Sequence, residues 1–117
     1  MIKLTLTDEQ AKIVATACEF YARVKMGQFN EIRWLCMRDF SAPDFCKRKD
    51  EAERLLWEAR KKIYPDLQGA GHSYGMGKFE DADKSFDVYQ VIEYALGGKR
   101  EPFSYYDLPK CEKEEKK

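Results

Sequence analysis

The sequence predicts a mainly α domain of the α+β class: about four helices, with a minor two-stranded sheet pairing the N- and C-terminal segments. Three observations carry this. Apolar residues recur at helical spacing over four separate stretches. Strand-like alternation is confined to residues 2–6, with an aromatic, proline-bounded segment at 103–108 as its natural partner. There is no internal repeat and no β-α-β alternation, which excludes Rossmann-type and other parallel-sheet enzymes.

Ile2, Leu4 and Leu6 alternate with Lys3 and Thr5, the period of a half-buried strand. The expected partner is Phe103-Ser104-Tyr105-Tyr106-Asp107-Leu108, rich in aromatic residues that favour a pleated surface and delimited by Pro102 and Pro109. An exposed edge on such a sheet predicts self-association by strand pairing, and hence a homo-oligomer.

Thr7-Asp8-Glu9-Gln10 reads as a capping box, so the first helix is expected to start at residue 8. Val14, Ala17, Cys18, Tyr21 and Val24 follow on one face, and Gly27 is placed to cap the C-terminus. A shorter helix is expected from Phe29 to Met37, with Ile32, Leu35 and Cys36 inward and Arg33 and Arg38 outward, ended by Ser41-Ala42-Pro43-Asp44. Residues 44–64 carry the cleanest period: Ala52, Leu55, Leu56, Ala59 and Ile63 form a stripe, while Lys49, Glu53, Arg54, Glu58, Arg60 and Lys61 cover the remaining surface. Pro65 ends that helix. A fourth opens at Glu80 or Asp81, lines up Phe86, Tyr89, Ile92, Ala95 and Leu96, and stops at Gly97-Gly98. The domain is expected to span residues 1–109, with 110–117 a charged, disordered tail.

Between the third and fourth helices, residues 69–77 hold four of the seven glycines and the sole histidine of the chain. Glycine permits positive φ and leaves amides uncovered, while His72, Ser73 and Tyr74 add a titratable ring, a hydroxyl and a stacking surface. The loop contains neither the Walker spacing nor a glycine fingerprint following a strand, so neither standard nucleotide-cofactor site is expected. His72 has no Cys, Asp or Glu at ligand spacing, which argues against a metal. A His72–Ser73 dyad fails because adjacent side chains diverge and no third group orients them. No cofactor, no metal and no catalysis are expected. The loop reads either as a compact connection, with Tyr74 and Met76 packing inward, or as a binding loop. In the second case the candidate ligand-binding residues are Gly71, His72, Ser73, Tyr74 and Gly75, joined by Arg23, Lys25 and Arg100 from the helix corners.

The 117 residues balance 21 basic against 21 acidic side chains, so no overall field draws the chain to nucleic acid or an anionic membrane. Cys18, Cys36, Cys46 and Cys111 show no paired spacing and read as reduced thiols. The first residues are too quickly charged for a signal peptide, and no apolar run approaches membrane-spanning length; a cytoplasmic location is expected.

Phe20-Tyr21-Ala22-Arg23 with Met26-Gly27-Gln28-Phe29, Glu51-Ala52-Glu53-Arg54-Leu55-Leu56 through Tyr64-Pro65-Asp66-Leu67, Ser73-Tyr74-Gly75, and Asp87-Val88-Tyr89-Gln90-Val91-Ile92 together resemble small accessory proteins of tailed phages and prophages, a group with no assigned activity. The likeness covers residues 1 to about 100 and brings no catalytic residue with it. It implies a viral protein working in the host cytoplasm. By analogy with small phage proteins lacking enzymatic signatures, two functions are expected of it. One is a counter-defence protein that sequesters a nucleotide-derived signalling molecule, with loop amides on phosphate, a cation beside them and a ring stacked on the base. The other is an inhibitor or adaptor that covers a host defence protein without any small ligand.

Overall fold

The computed structural model describes residues 1–67, 69 and 72–114. It contains four helices, α1 (Asp8–Lys25), α2 (Glu31–Cys36), α3 (Phe45–Ile63) and α4 (Glu80–Ala95). Among the described residues none is long and apolar enough to cross a membrane. By its internal contacts the chain divides into two compact units, Met1–Ala22 with Phe79–Lys117 (unit 1) and Arg23–Lys78 (unit 2).

In unit 1, α1 starts as its capping box requires. The Gln10 amide donates to the Thr7 hydroxyl and the Thr7 amide to the Gln10 side chain, both at 3.1 Å. The buried residues include Ala15, Ala22 and Ala82 with Val91 and Ile92. Alanines at these positions let backbones approach: the Ser85 hydroxyl on α4 donates to the Cys18 carbonyl of α1 at 2.7 Å, and Tyr21 reaches Asp81 at the same distance. α4 ends in a Schellman motif, the Gly98 amide bonding the Glu93 carbonyl and the Gly97 amide that of Tyr94, with Gly97 at φ +104°.

The expected two-stranded sheet does not form; among the described residues there is no strand. Two physical reasons are visible. Ile2 and Leu4 are 93% and 72% exposed, so no apolar face holds the N-terminal segment flat. The C-terminal segment instead finds its hydrogen-bond partner in a side chain. The Gln90 amide donates to the Phe103 carbonyl at 2.9 Å and accepts from the Phe103 amide at 3.0 Å, doing what a neighbouring strand would do. Ser104 adds a bond to the buried Asp87 carboxylate. The strand edge on which self-association was expected is therefore absent.

In unit 2, the chain leaves α1 through a second Schellman motif, Gln28 to Arg23 and Gly27 to Val24. α2 is shorter than expected, and its sides are exchanged: Ile32, Leu35 and Cys36 are exposed, whereas Arg33 is buried. Arg33 tolerates burial because its Nε meets Glu53 of α3 at 3.1 Å and its guanidinium lies 4.3 Å from the Trp34 ring centroid. α3 is likewise rotated from its expected face. Leu55 and Ile63 are exposed, and Arg60 is buried.

Gly27 sits at φ +94°, and a Cβ there would stand 2.5 Å from the Leu67 side chain. Gly27→Ala is expected to destabilise unit 2 by about 1–3 kcal/mol in urea unfolding, from left-handed strain and overpacking together. Gly75→Ala, where a Cβ would meet nothing within 4 Å, should change stability by less than about 0.5 kcal/mol.

Candidate functional site

A groove of about 600 Å³ opens in unit 2 between the turn after α1, the start of α2, one face of α3 and the loop that follows α3. Phe29, Leu56 and Trp57 give it an apolar floor; Gln28, Asn30, His72 and Ser73 offer hydrogen bonds. Its volume lies in the range of small-molecule sites.

The loop reaches the groove because Arg60 holds it there. Arg60 is 5% exposed, and its two terminal nitrogens donate to the carbonyls of Gly69 and His72. Its guanidinium also lies 4.7 Å from the Trp57 ring centroid. A buried guanidinium needs compensation worth several kcal/mol, and here carbonyl dipoles and a π face provide it. Its Nε is buried and finds no hydrogen-bond partner among the described residues. The His72 ring packs over Gly69, whose φ of +83° and closeness to that ring, 3.3 Å from where a Cβ would stand, explain the glycine.

The far side of the loop is fixed by an aromatic cluster. The Tyr64 ring meets Tyr74 edge-on at 5.2 Å and Phe29 at 5.9 Å. The Tyr64 hydroxyl donates to the Lys25 carbonyl at 2.7 Å, and the Tyr74 amide donates to the Met26 carbonyl at 2.8 Å. The Tyr74 hydroxyl donates to Asp66. That bond holds the Asp66 carboxyl below its ordinary range and, with lesser contributions from burial and the Asp66 charge, pushes the Tyr74 phenol up to about 12.

Of the candidate ligand-binding residues, His72 and Ser73 line the groove. Tyr74 instead serves the anchor behind the loop, and Gly75 is exposed and outside the lining. Gly71 lies outside the described residues. Arg23 donates to the Gln28 side chain at 3.1 Å, and Lys25 contributes its carbonyl to Tyr64. Arg100 belongs to unit 1 and is not among the lining residues. Met76, expected to pack inward, is 43% exposed.

Six further lining residues are ones that sequence reasoning passed over: Glu31, Asp50, Glu53, Arg54, Trp57 and Arg60. The signal available was the spacing Glu53, Leu56, Trp57, Arg60, one face of a helix drawn through its tryptophan rather than through its aliphatic residues. Charge follows from this set. Three carboxylates line the groove against Arg54 and an Arg60 already engaged with backbone carbonyls. Glu53 is offset by Arg33 at 3.1 Å and Lys49 at 3.8 Å. Among the described residues, no group of three or more His, Cys, Asp or Glu side chains could hold a metal ion. No protein-family model, curated protein or solved structure matches this chain.

The Tyr74–Asp66 bond has a defined pH window. Asp66, lowered below 3.8, contributes stability above that value and loses it as pH falls through the lowered value. Tyr74, raised above 10.0, contributes below that value and loses it as pH rises through about 12. Phenolate absorbance should therefore show Tyr74 titrating near 12, and Asp66→Asn should return that group toward 10. Coincident titration curves for the native protein and Asp66→Asn would show that the bond is not made.

Proposed function

We propose that this chain is a non-enzymatic accessory protein of tailed phages or prophages that holds a nucleotide-derived small molecule, with the unit 2 groove as its binding site. The observation that carries the reading is the Arg60 clasp, which brings His72 and Ser73 to the same cavity as Trp57 and Phe29. A heterocyclic base finds apolar ring contact on Trp57 and Phe29, and hydrogen-bonding groups on Asn30, Gln28, Ser73 and His72. The phage origin rests on the resemblance of the Tyr21, Pro65-Asp66-Leu67, Ser73-Tyr74-Gly75 and Tyr89-Gln90 segments.

The wall charges refine the ligand. Glu53 is offset by Arg33 and Lys49, and Lys49 stands 3.8 Å from Asp50 as well, so Glu31 contributes most to opposing an accumulation of phosphates, while all three carboxylates can accept from the N–H groups of a base edge. Arg54 is 1 cation against these, enough for a single phosphodiester charge. The favoured ligands are thus nucleosides and cyclic mononucleotides, ahead of nucleoside diphosphates and ADP-ribose. Sequestration, rather than turnover, needs only tight and slow-leaving binding of such a molecule.

Thermal denaturation with adenosine, guanosine, their cyclic monophosphates, ADP and ADP-ribose tests this. A ligand at about 100 times its Kd should raise Tm by several degrees, nucleosides and cyclic monophosphates more than the diphosphates. Arg54→Glu should weaken the cyclic monophosphates while leaving nucleosides unchanged. The absence of any shift across the set contradicts the proposal.

A further inference from the structure

We infer that the unit 2 groove selects guanine over adenine and that Glu31 reads the base edge, which rests on the reading of that groove as a nucleoside site. Three carboxylates line the groove, but two are already engaged: Glu53 meets Arg33 at 3.1 Å and Lys49 at 3.8 Å, and Asp50 stands 3.8 Å from the same Lys49. Glu31 is different. Among the described residues no side chain bonds to its carboxylate, and it is half-buried beside Phe29 and Asn30 of the same lining. A partly desolvated carboxylate without a cation leaves two oxygens to accept from whatever fills the groove.

The second unspent group is a donor. Arg60 lines the same groove, and with its terminal nitrogens given to the Gly69 and His72 carbonyls its buried Nε–H finds no acceptor among the described residues. These two groups suit a base edge with two adjacent N–H donors beside one acceptor. Guanine has that edge: N1–H and the 2-amino group lie parallel, at the spacing of the two oxygens of a carboxylate, and O6 beside N1 accepts. Adenine inverts the pattern, with a lone pair at N1 that faces the carboxylate and an amino group where guanine has O6. Uracil offers one N–H between two carbonyls and cytosine an acceptor at N3, so neither gives a carboxylate two adjacent donors. A polar group left unpaired in the site costs more than a made bond gains, so the wrong base is rejected more strongly than the right one is held.

Calorimetric titration of the full chain with guanosine, inosine, adenosine and 2-aminopurine riboside tests this. Guanosine should bind about tenfold or more tightly than adenosine. Inosine, which keeps O6 and N1–H but lacks the 2-amino group, should fall between them. The 2-aminopurine riboside, which has the 2-amino group but a lone pair at N1 and no O6, should bind no better than adenosine. Glu31→Gln, nearly unchanged in volume, should reduce the preference for guanosine over adenosine about tenfold, whereas Asp50→Asn should leave it as it is. The nucleoside series on the native chain decides the base whether or not the variant folds. Equal affinity for guanosine and adenosine overturns the inference and leaves the groove a nucleoside site, as does a preference that Glu31→Gln leaves intact or that Asp50→Asn abolishes equally. Absence of binding by every nucleoside overturns both the inference and the reading on which it rests.

Discussion

The clasp of Arg60 on the loop carbonyls is the constraint on which unit 2 depends. A guanidinium at 5% exposure cannot be left to water, and α3 carries it there whatever the loop does. The loop must turn the carbonyls of Gly69 and His72 toward it, which requires the positive φ at Gly69 and leaves the side chains of His72 and Ser73 on the groove side. The aromatic anchor of Tyr64 and Tyr74 then holds the other end of the same loop. Site geometry is thus a by-product of satisfying a buried charge.

Arg33 repeats the device. The chain has two tryptophans, and each carries a buried arginine against its ring, Arg33 on Trp34 and Arg60 on Trp57. A short unit with few large aliphatic side chains inside gains from this arrangement, because long guanidinium stems fill volume while their heads form directional bonds. Among the described residues Phe29 and Leu67 are its buried apolar side chains, and Ile32, Leu35, Leu55 and Ile63 are exposed. Specificity of the loop and the acid-lined groove come from polar groups rather than from a large apolar core.

Helix existence was legible in the sequence, since it depends on local chemistry: the Thr7–Gln10 capping box, the glycine stops at Gly27 and Gly97, and the break at Pro65 all act within a turn or two. Helix facing was not. Assigning faces from aliphatic residues alone placed Arg33 and Arg60 in solvent, because their partners Glu53 and the Gly69 and His72 carbonyls lie far along the chain. The sheet failed for a related reason: nothing local announces that the Gln90 side chain, inside an apolar stretch, will take the place of a strand for Phe103. Of the site, His72 and Ser73 were visible through the glycine loop, while the α3 contribution required the correct helix rotation.

Hydrogen exchange at the His72 and Tyr74 amides in Arg60→Gln, beside Arg60→Lys, tests the central claim most directly. The clasp predicts that Gln, which has one short donor group in place of the fork, raises exchange at both amides by about tenfold or more, that Lys only partly restores protection, and that unit 1 amides such as Gln10 are unaffected. Unchanged protection of His72 and Tyr74 in Arg60→Gln would contradict the account, showing that the loop holds its shape without the buried guanidinium.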